Sequence, residues 1–329
     1  MNLSQFQFRG LHPGIFLGTC TDRYSGWIGQ IYSAGRYEGK MGRRNRTVAA
    51  KNFTEETLPV ESVEEYFHHF PILELDFTFY RLLLEKNGQP TQNYQVLRQY
   101  RQHMKEGDGL FLKAPQGIFA QKLNREGRYI KNEDYLNAEA FRKQFYDPAV
   151  ELLGPRLRGF LFEQEYQRKA DRLPPEKMAA DLDHFFRSCP ADERYYAELR
   201  TESYLSEPVF ETFEKHGVGQ VLSHWTWLPT LAKQWAKSGE RFFNRGKQAV
   251  IRLITPLGMR YEEAYTKAFP FDKMVEGMLP PRMVEETVEI LRVGVRRGVQ
   301  MNLLINNRAG GNAPLIARRI AEEFLGEKP

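Results

Sequence analysis

Short apolar runs recur along the chain. Each is followed by polar or glycine-containing residues and then by a longer stretch in which apolar residues return every three or four positions. Eight runs read as strands: 14–20, 72–76, 110–115, 158–164, 195–200, 218–223, 249–255 and 300–306. Runs such as Ile15-Phe16-Leu17 and Leu303-Leu304-Ile305 do not alternate apolar with polar, the pattern of parallel strands covered on both faces. Helical spacing predicts helices over 60–67, 91–107, 137–153, 174–188, 208–215, 229–238, 284–297 and 314–324. Ser62 and Glu65 have capping-box spacing, and Gly310-Gly311-Asn312 with Pro314 marks the start of the last helix.

Eight β-α alternations predict an α/β fold, a closed (β/α)8 barrel. The rival, an open doubly wound sheet, calls for a glycine-rich phosphate turn after the first strand. Gly18-Thr19-Cys20-Thr21-Asp22 has neither the dinucleotide nor the Walker spacing. With no linker visible, one domain over 1–329 is expected. The segment 35–58 breaks the rhythm as a long loop carrying Arg36, Lys40, Arg43, Arg44, Arg46 and Lys51. In a barrel it lies over the mouth, as a solvated insertion or an anion clamp.

Composition changes this picture little. The chain is 41% hydrophobic and 27% charged, ordinary for a globular protein. No run approaches the roughly 18 uncharged apolar residues of a spanning helix, so no membrane association is expected. Two cysteines, Cys20 and Cys189, form no disulfide framework or zinc spacing and suit a reducing compartment, hence a cytoplasmic location. The charge of +5 rests on 47 basic against 42 acidic residues, so local clustering matters more than the total. Only His224 stands near a strand end, which argues against a multinuclear metal site, and no cofactor motif is present. Cys20, at the end of the first strand, reads as an inert buried thiol.

Several fragments together resemble the YecE-like family, domain of unknown function 72. Gly18-Thr19 followed by Trp27-Ile28-Gly29 and Tyr32 is similar to the family's opening strand and its W-x-G-x-x-Y element. Glu74 to Tyr80 is similar to E-I-N-S-T-F-Y. Further matches are Phe111 to Pro115, Gln164, Ala197 to Arg200, Val250 to Leu253, and Asn306-Asn307. The resemblance implies a TIM barrel and supplies no established activity. Asp76 stands where the family has asparagine, Thr201 and Tyr204 where it has histidine and tryptophan, and Ile254 where it has histidine. A histidine-dependent reaction is therefore not expected.

Strand geometry puts Glu74 with Asp76, and Glu198 with Arg200, on common faces. Lys113, Gln164, Arg252 and Asn306 occupy the late positions of their own strands. Three acids (Glu74, Asp76, Glu198) beside three bases (Lys113, Arg200, Arg252) should form a network, since interior charges demand partners. Glu74, Lys113 and Glu198 are the catalytic candidates; Asp76, Tyr80, Gln164, Arg200, His224, Arg252, Asn306 and Asn307 are the substrate-binding ones. Guanidinium groups suit bidentate phosphate or carboxylate binding, and the Gly310-Gly311-Asn312 turn offers backbone donors. The expectation is an enzyme, a hydrolase or lyase, acting on an anionic small molecule by acid-base chemistry. Alternatives are a nucleic-acid-backbone binder using the 35–58 segment with Tyr24, Trp27, Trp225 and Trp227, a non-catalytic ligand-binding barrel, and a glycosidase using Glu74 and Glu198.

Overall fold

A computed structural model of the chain describes residues 2–125 and 128–326. In chain order its strands are β1 (Ile15–Cys20), β2 (Gly42–Val48), β3 (Lys51–Thr57), β4 (Ile72–Leu75), β5 (Gly109–Lys113), β6 (Lys122–Arg125), β7 (Arg128–Lys131), β8 (Leu157–Gln164), β9 (Tyr195–Leu199), β10 (Gly219–His224), β11 (Gln248–Leu253) and β12 (Gln300–Ile305). Eight of them close into a parallel barrel in the order β1-β12-β11-β10-β9-β8-β5-β4. The remaining four form two antiparallel hairpins, β2 with β3 and β6 with β7. Closure excludes the open doubly wound sheet.

The unalternating strand runs follow from two apolar layers. Leu73, Leu112, Phe160, Phe162, Ile251 and Leu303 point outward into the core shared with the helices. Ile72, Phe111, Leu161, Tyr196, Val221, Val250 and Leu304 fill the barrel interior. Interior rings need room, and glycine provides it. A Cβ on Gly159 would sit 2.6 Å from the Phe111 ring, and one on Gly219 would sit 2.5 Å from Tyr196.

The covering helices are α1 (Val63–His69), α2 (Gln92–Gln102), α3 (Gln116–Phe119), α4 (Ala138–Phe141), α5 (Asp147–Leu153), α6 (Pro175–Ser188), α7 (Glu207–His216), α8 (Leu231–Lys237), α9 (Tyr261–Ala268), α10 (Pro281–Arg296) and α11 (Ala313–Leu325). Among the described residues no helix is long and apolar enough to cross a membrane. The helix expected over 137–153 is interrupted by a π-helical stretch, Arg142–Tyr146. The expected capping box is absent, because Ser62 makes no capping bond and its hydroxyl is unpartnered. Glu65 instead accepts from the Ser33 amide and hydroxyl, Arg36 and Tyr37, and so ties the segment after β1 to α1.

The segment 35–58 is not the long loop expected. Most of it is the β2–β3 hairpin, turning through Ala49 and Ala50 at φ 50° and 61°. Two positive-φ residues match the right-handed strand twist, but glycine and asparagine normally supply them, so the turn left no compositional signal. Its cations are largely paired: Arg43 with Glu56 at 3.1 Å, Arg46 with Glu55 at 3.4 Å, Lys40 with Glu61 at 2.8 Å and Arg36 with Glu65 at 2.8 Å.

After β1, Thr21 adopts φ 66°, a costly conformation for a β-branched residue, and the turn carries Asp22 into the interior. One Asp22 oxygen accepts from Tyr100 of α2 at 2.8 Å and the other has no partner. Burial pushes this carboxyl up to about 6, against the pull of Arg23 and the Tyr100 hydroxyl. The fold therefore prefers Asp22 protonated, and its contribution is fully present below the ordinary value of 3.8 and is lost as pH rises through about 6. Asp22→Asn should gain stability relative to the native chain by on the order of 2 kcal/mol between about pH 4 and pH 7. Denaturant titrations of both proteins across that range check it. A pH-independent difference would mean that Asp22 titrates like an exposed carboxyl.

Candidate functional site

One layer above the apolar interior, the inward parity of every barrel strand except β12, which keeps Leu304 there, meets a polar or sulfur-bearing residue. These are Cys20, Glu74, Lys113, Glu163, Glu198, Ser223 and Arg252, all buried. Cys20, Glu74, Lys113, Glu163 and Arg252 floor a cavity of about 410 Å³ at the carboxyl ends of the strands, with Glu198 and Ser223 beneath them. Arg252 of β11 occupies the centre. Its Nε and Nη2 donate to the two oxygens of Glu74 at 2.9 and 2.6 Å, and its Nη1 donates to Glu198 and lies 3.5 Å from Glu163. Arg200 continues the chain of charge, with Nε 3.0 Å from Glu198 and Nη1 2.7 Å from Glu163. Its guanidinium stacks 4.9 Å from the Trp225 ring centroid. Ser223 donates to Glu198 at 2.8 Å.

Lys113 closes the network. Its Nζ lies 2.5 Å from Glu163 and 4.1 Å from the Phe79 ring centroid. Three carboxylates thus face three cations, and the pairing offsets a desolvation penalty that none could bear alone. Burial would raise the Glu163 carboxyl, but Arg200, Lys113 and Arg252 draw it down to about 2. Burial lowers Lys113 despite Glu163, with Arg252 and Arg200 acting in the same direction as burial. Burial and the neighbouring Glu74 push the Cys20 thiol well up, so it stays protonated, its sulfur 3.2 Å from Glu74.

Of the residues expected at the site, Glu74, Asp76, Tyr80, Lys113, Arg200, Arg252 and Asn306 line the cavity. Glu198 lies sealed beneath it and Tyr80 stands exposed at the mouth. Asp76 does not join the network; among the described residues it has no ion pair, and burial raises its carboxyl while Lys113 opposes.

Three expected residues fall out of phase. Gln164 points away from the cavity and accepts the Arg200 amide at 3.1 Å, linking β8 to β9. His224 faces outward, its Nδ1 2.9 Å from the Thr255 carbonyl, and burial lowers its pKa. Asn307 accepts from the Trp27 indole at 3.1 Å and the Ala313 amide at 2.8 Å, pinning the start of α11. The inward residue of β8 is Glu163, which sequence reasoning missed. Its signal was the Phe160-Phe162 pair, which takes the helix-facing phase and leaves Gly159, Leu161 and Glu163 inside.

Other expectations also change. The Gly310 and Gly311 amides both donate to the Asn307 carbonyl, so they are not open to a ligand. Trp27 is fully buried and offers no stacking face, whereas Tyr24 and Trp225 line the cavity. Glu74 and Glu198 share Arg252, and only Glu74 lines the cavity, so the two do not face one space as a glycosidase pair would. The side wall contains Arg23 after β1, Arg44 and Arg46 of the hairpin, and Arg308 after β12, none of which the strand pattern marked.

The family profile described as "Protein of unknown function DUF72" matches residues 16–328. A DUF72 family protein from Enterococcus faecalis V583 superposes with TM-score 0.55 at 13% identity, covering 96% of each chain. One from Thermotoga maritima MSB8 superposes with TM-score 0.53 at 17% identity, covering 95% of this chain and 99% of that one. No curated protein matches the sequence. At such identities the likeness to the solved structures is one of fold. The profile, in contrast, runs from within β1 through α11 and takes in every strand that builds the cavity floor, and the chain belongs to the DUF72 family.

Proposed function

We propose that the protein binds an anionic small molecule, phosphorylated or carboxylated, at the mouth of its barrel and acts on it by acid-base chemistry. The observation that carries this reading is the contrast between floor and opening. The floor's glutamates and arginines satisfy one another, while Lys113 and Asp76 face the cavity with their proton affinities displaced in opposite directions. A lysine made more acidic and an aspartate made more basic suit proton transfer near neutral pH. Lining cations (Arg23, Arg44, Arg46, Lys113, Arg200, Arg252, Arg308) number seven against five carboxylates (Glu55, Glu56, Glu74, Asp76, Glu163), which favours an anion. Two hairpin arginines are already paired with glutamates, which favours a small ligand over an extended nucleic-acid backbone.

Thermal-shift screening of phosphorylated and carboxylated metabolites, followed by turnover assays on those that stabilise the protein, tests the reading. Lys113→Met and Asp76→Asn should each lower kcat by about 10²–10⁴-fold while keeping ligand binding. With Asp76 as base and protonated Lys113 as acid, kcat/KM rises as Asp76 ionises and falls as Lys113 deprotonates. Both limbs lie inside the ordinary values of 3.8 and 10.5, and Asp76→Asn removes the acidic one. Unchanged turnover in Lys113→Met would overturn the assignment.

The floor makes a separate prediction. Arg252→Met strips the counter-charge from Glu74 and Glu198 and should cost about 3–5 kcal/mol in denaturant unfolding. Adding Glu74→Gln should restore part of that loss. A near-neutral Arg252→Met would assign Arg252 to the ligand instead.

A further inference from the structure

The floor's guanidinium groups are occupied, so an entering anion must find its charge elsewhere. Arg252 uses Nε, Nη1 and Nη2 on glutamates, and Arg200 uses Nε and Nη1. On the side wall the situation is reversed. Among the described residues Arg23, Arg44 and Arg308 line the same cavity and none forms an ion pair, Arg23 donating to the Leu58 carbonyl at 3.4 Å with Asp22 close by, although ion pairs are plentiful over the rest of the surface. Resting on the anionic-ligand reading above, we propose that these three arginines form a phosphoryl-binding subsite, and that the ligand is a phosphate monoester.

The wall is a built structure. The Arg308 amide donates to the Asn306 side chain at 3.0 Å, which sets the turn out of β12. Its guanidinium lies 4.4 Å from the Tyr261 ring centroid, and its buried Nε has no partner. Arg46 is held at the same ring, 5.7 Å from the centroid, and donates to the Tyr261 hydroxyl at 2.6 Å. Arg46 is further fixed by Glu55, itself bonded to the Tyr265 hydroxyl. Arg44 lies two residues earlier on the same face of β2, so the braced Arg46 positions it toward the cavity. Rigid planar guanidiniums match phosphoryl oxygens better than ammonium groups do. Barrel enzymes also often hold phosphate at the loops after the seventh and eighth barrel strands, and Arg308 follows the eighth. Tyr24 and Trp225 supply apolar walls for the esterified group.

Calorimetric titration at low and moderate salt with phenyl phosphate, and separately with malonate, tests the subsite. Phenyl phosphate should bind the native chain, and at least tenfold more weakly in Arg308→Gln and in Arg44→Gln. Arg44 is exposed, so its replacement cannot be dismissed as misfolding. Arg43→Gln makes the same charge change outside the cavity and should leave binding unchanged. Equal loss in Arg43→Gln and Arg308→Gln would reduce the effect to bulk electrostatics and overturn the subsite while leaving the anionic pocket. Binding of malonate without phenyl phosphate would overturn the phosphoryl assignment alone. Failure of both ligands to bind would overturn this proposal and the reading beneath it.

Discussion

The pairing of Arg252 with Glu74 and Glu198 is the constraint on which the upper half of the barrel depends. Side chains from β4, β9 and β11 meet in a layer almost entirely closed to water. Buried carboxylates there would otherwise neutralise or pull the strand ends apart. With the guanidinium between them, the layer is both a lid on the apolar interior and a level base for the cavity. Glu163 extends it to Arg200 and Lys113, so five strands, β4, β5, β8, β9 and β11, share one network.

This arrangement divides the polar residues by what remains available to a ligand. A guanidinium whose three nitrogens already donate to carboxylates has little left to offer, whatever its position in the fold. Lys113 keeps donors beyond its contact with Glu163, and Asp76 keeps its whole carboxylate. The donors and acceptors left unsatisfied thus lie on the rim and wall, where burial shifts Lys113 down and Asp76 up while the floor's charges partly oppose both shifts.

The barrel was legible in the sequence because closure imposes a period and a parity. Strand runs without alternation, spaced by helical stretches, have few other solutions, and the late charged positions of β4, β5, β9 and β11 fell in phase. Gln164 and His224 were misplaced by a single residue, since on a strand of period two that error exchanges inside for outside. Of the wall arginines, the sequence pattern marks Arg44 and Arg46 only as members of a basic segment over the mouth and leaves Arg23 and Arg308 unmarked. Arg23 and Arg308 lie on turns beyond strand ends, and Arg44 lies on a hairpin whose alanine turn carries no glycine or asparagine signal.

The hairpin shows why a charge count along the chain misleads. Six cations between 35 and 58 read as a basic loop, yet cross-strand register sets Arg43 against Glu56 and Arg44 against Glu55 as backbone partners. Side-chain reach then decides the outcome, and Glu55 bonds Arg46 and the Tyr265 hydroxyl, leaving Arg44 without an ion pair. One face of the hairpin is therefore neutralised outward while the other presents an uncompensated guanidinium to the cavity. An ordinary surface insertion would spread its charges toward solvent. Here, pairing concentrates the remaining charge at the mouth of the barrel, where a ligand would have to pass it.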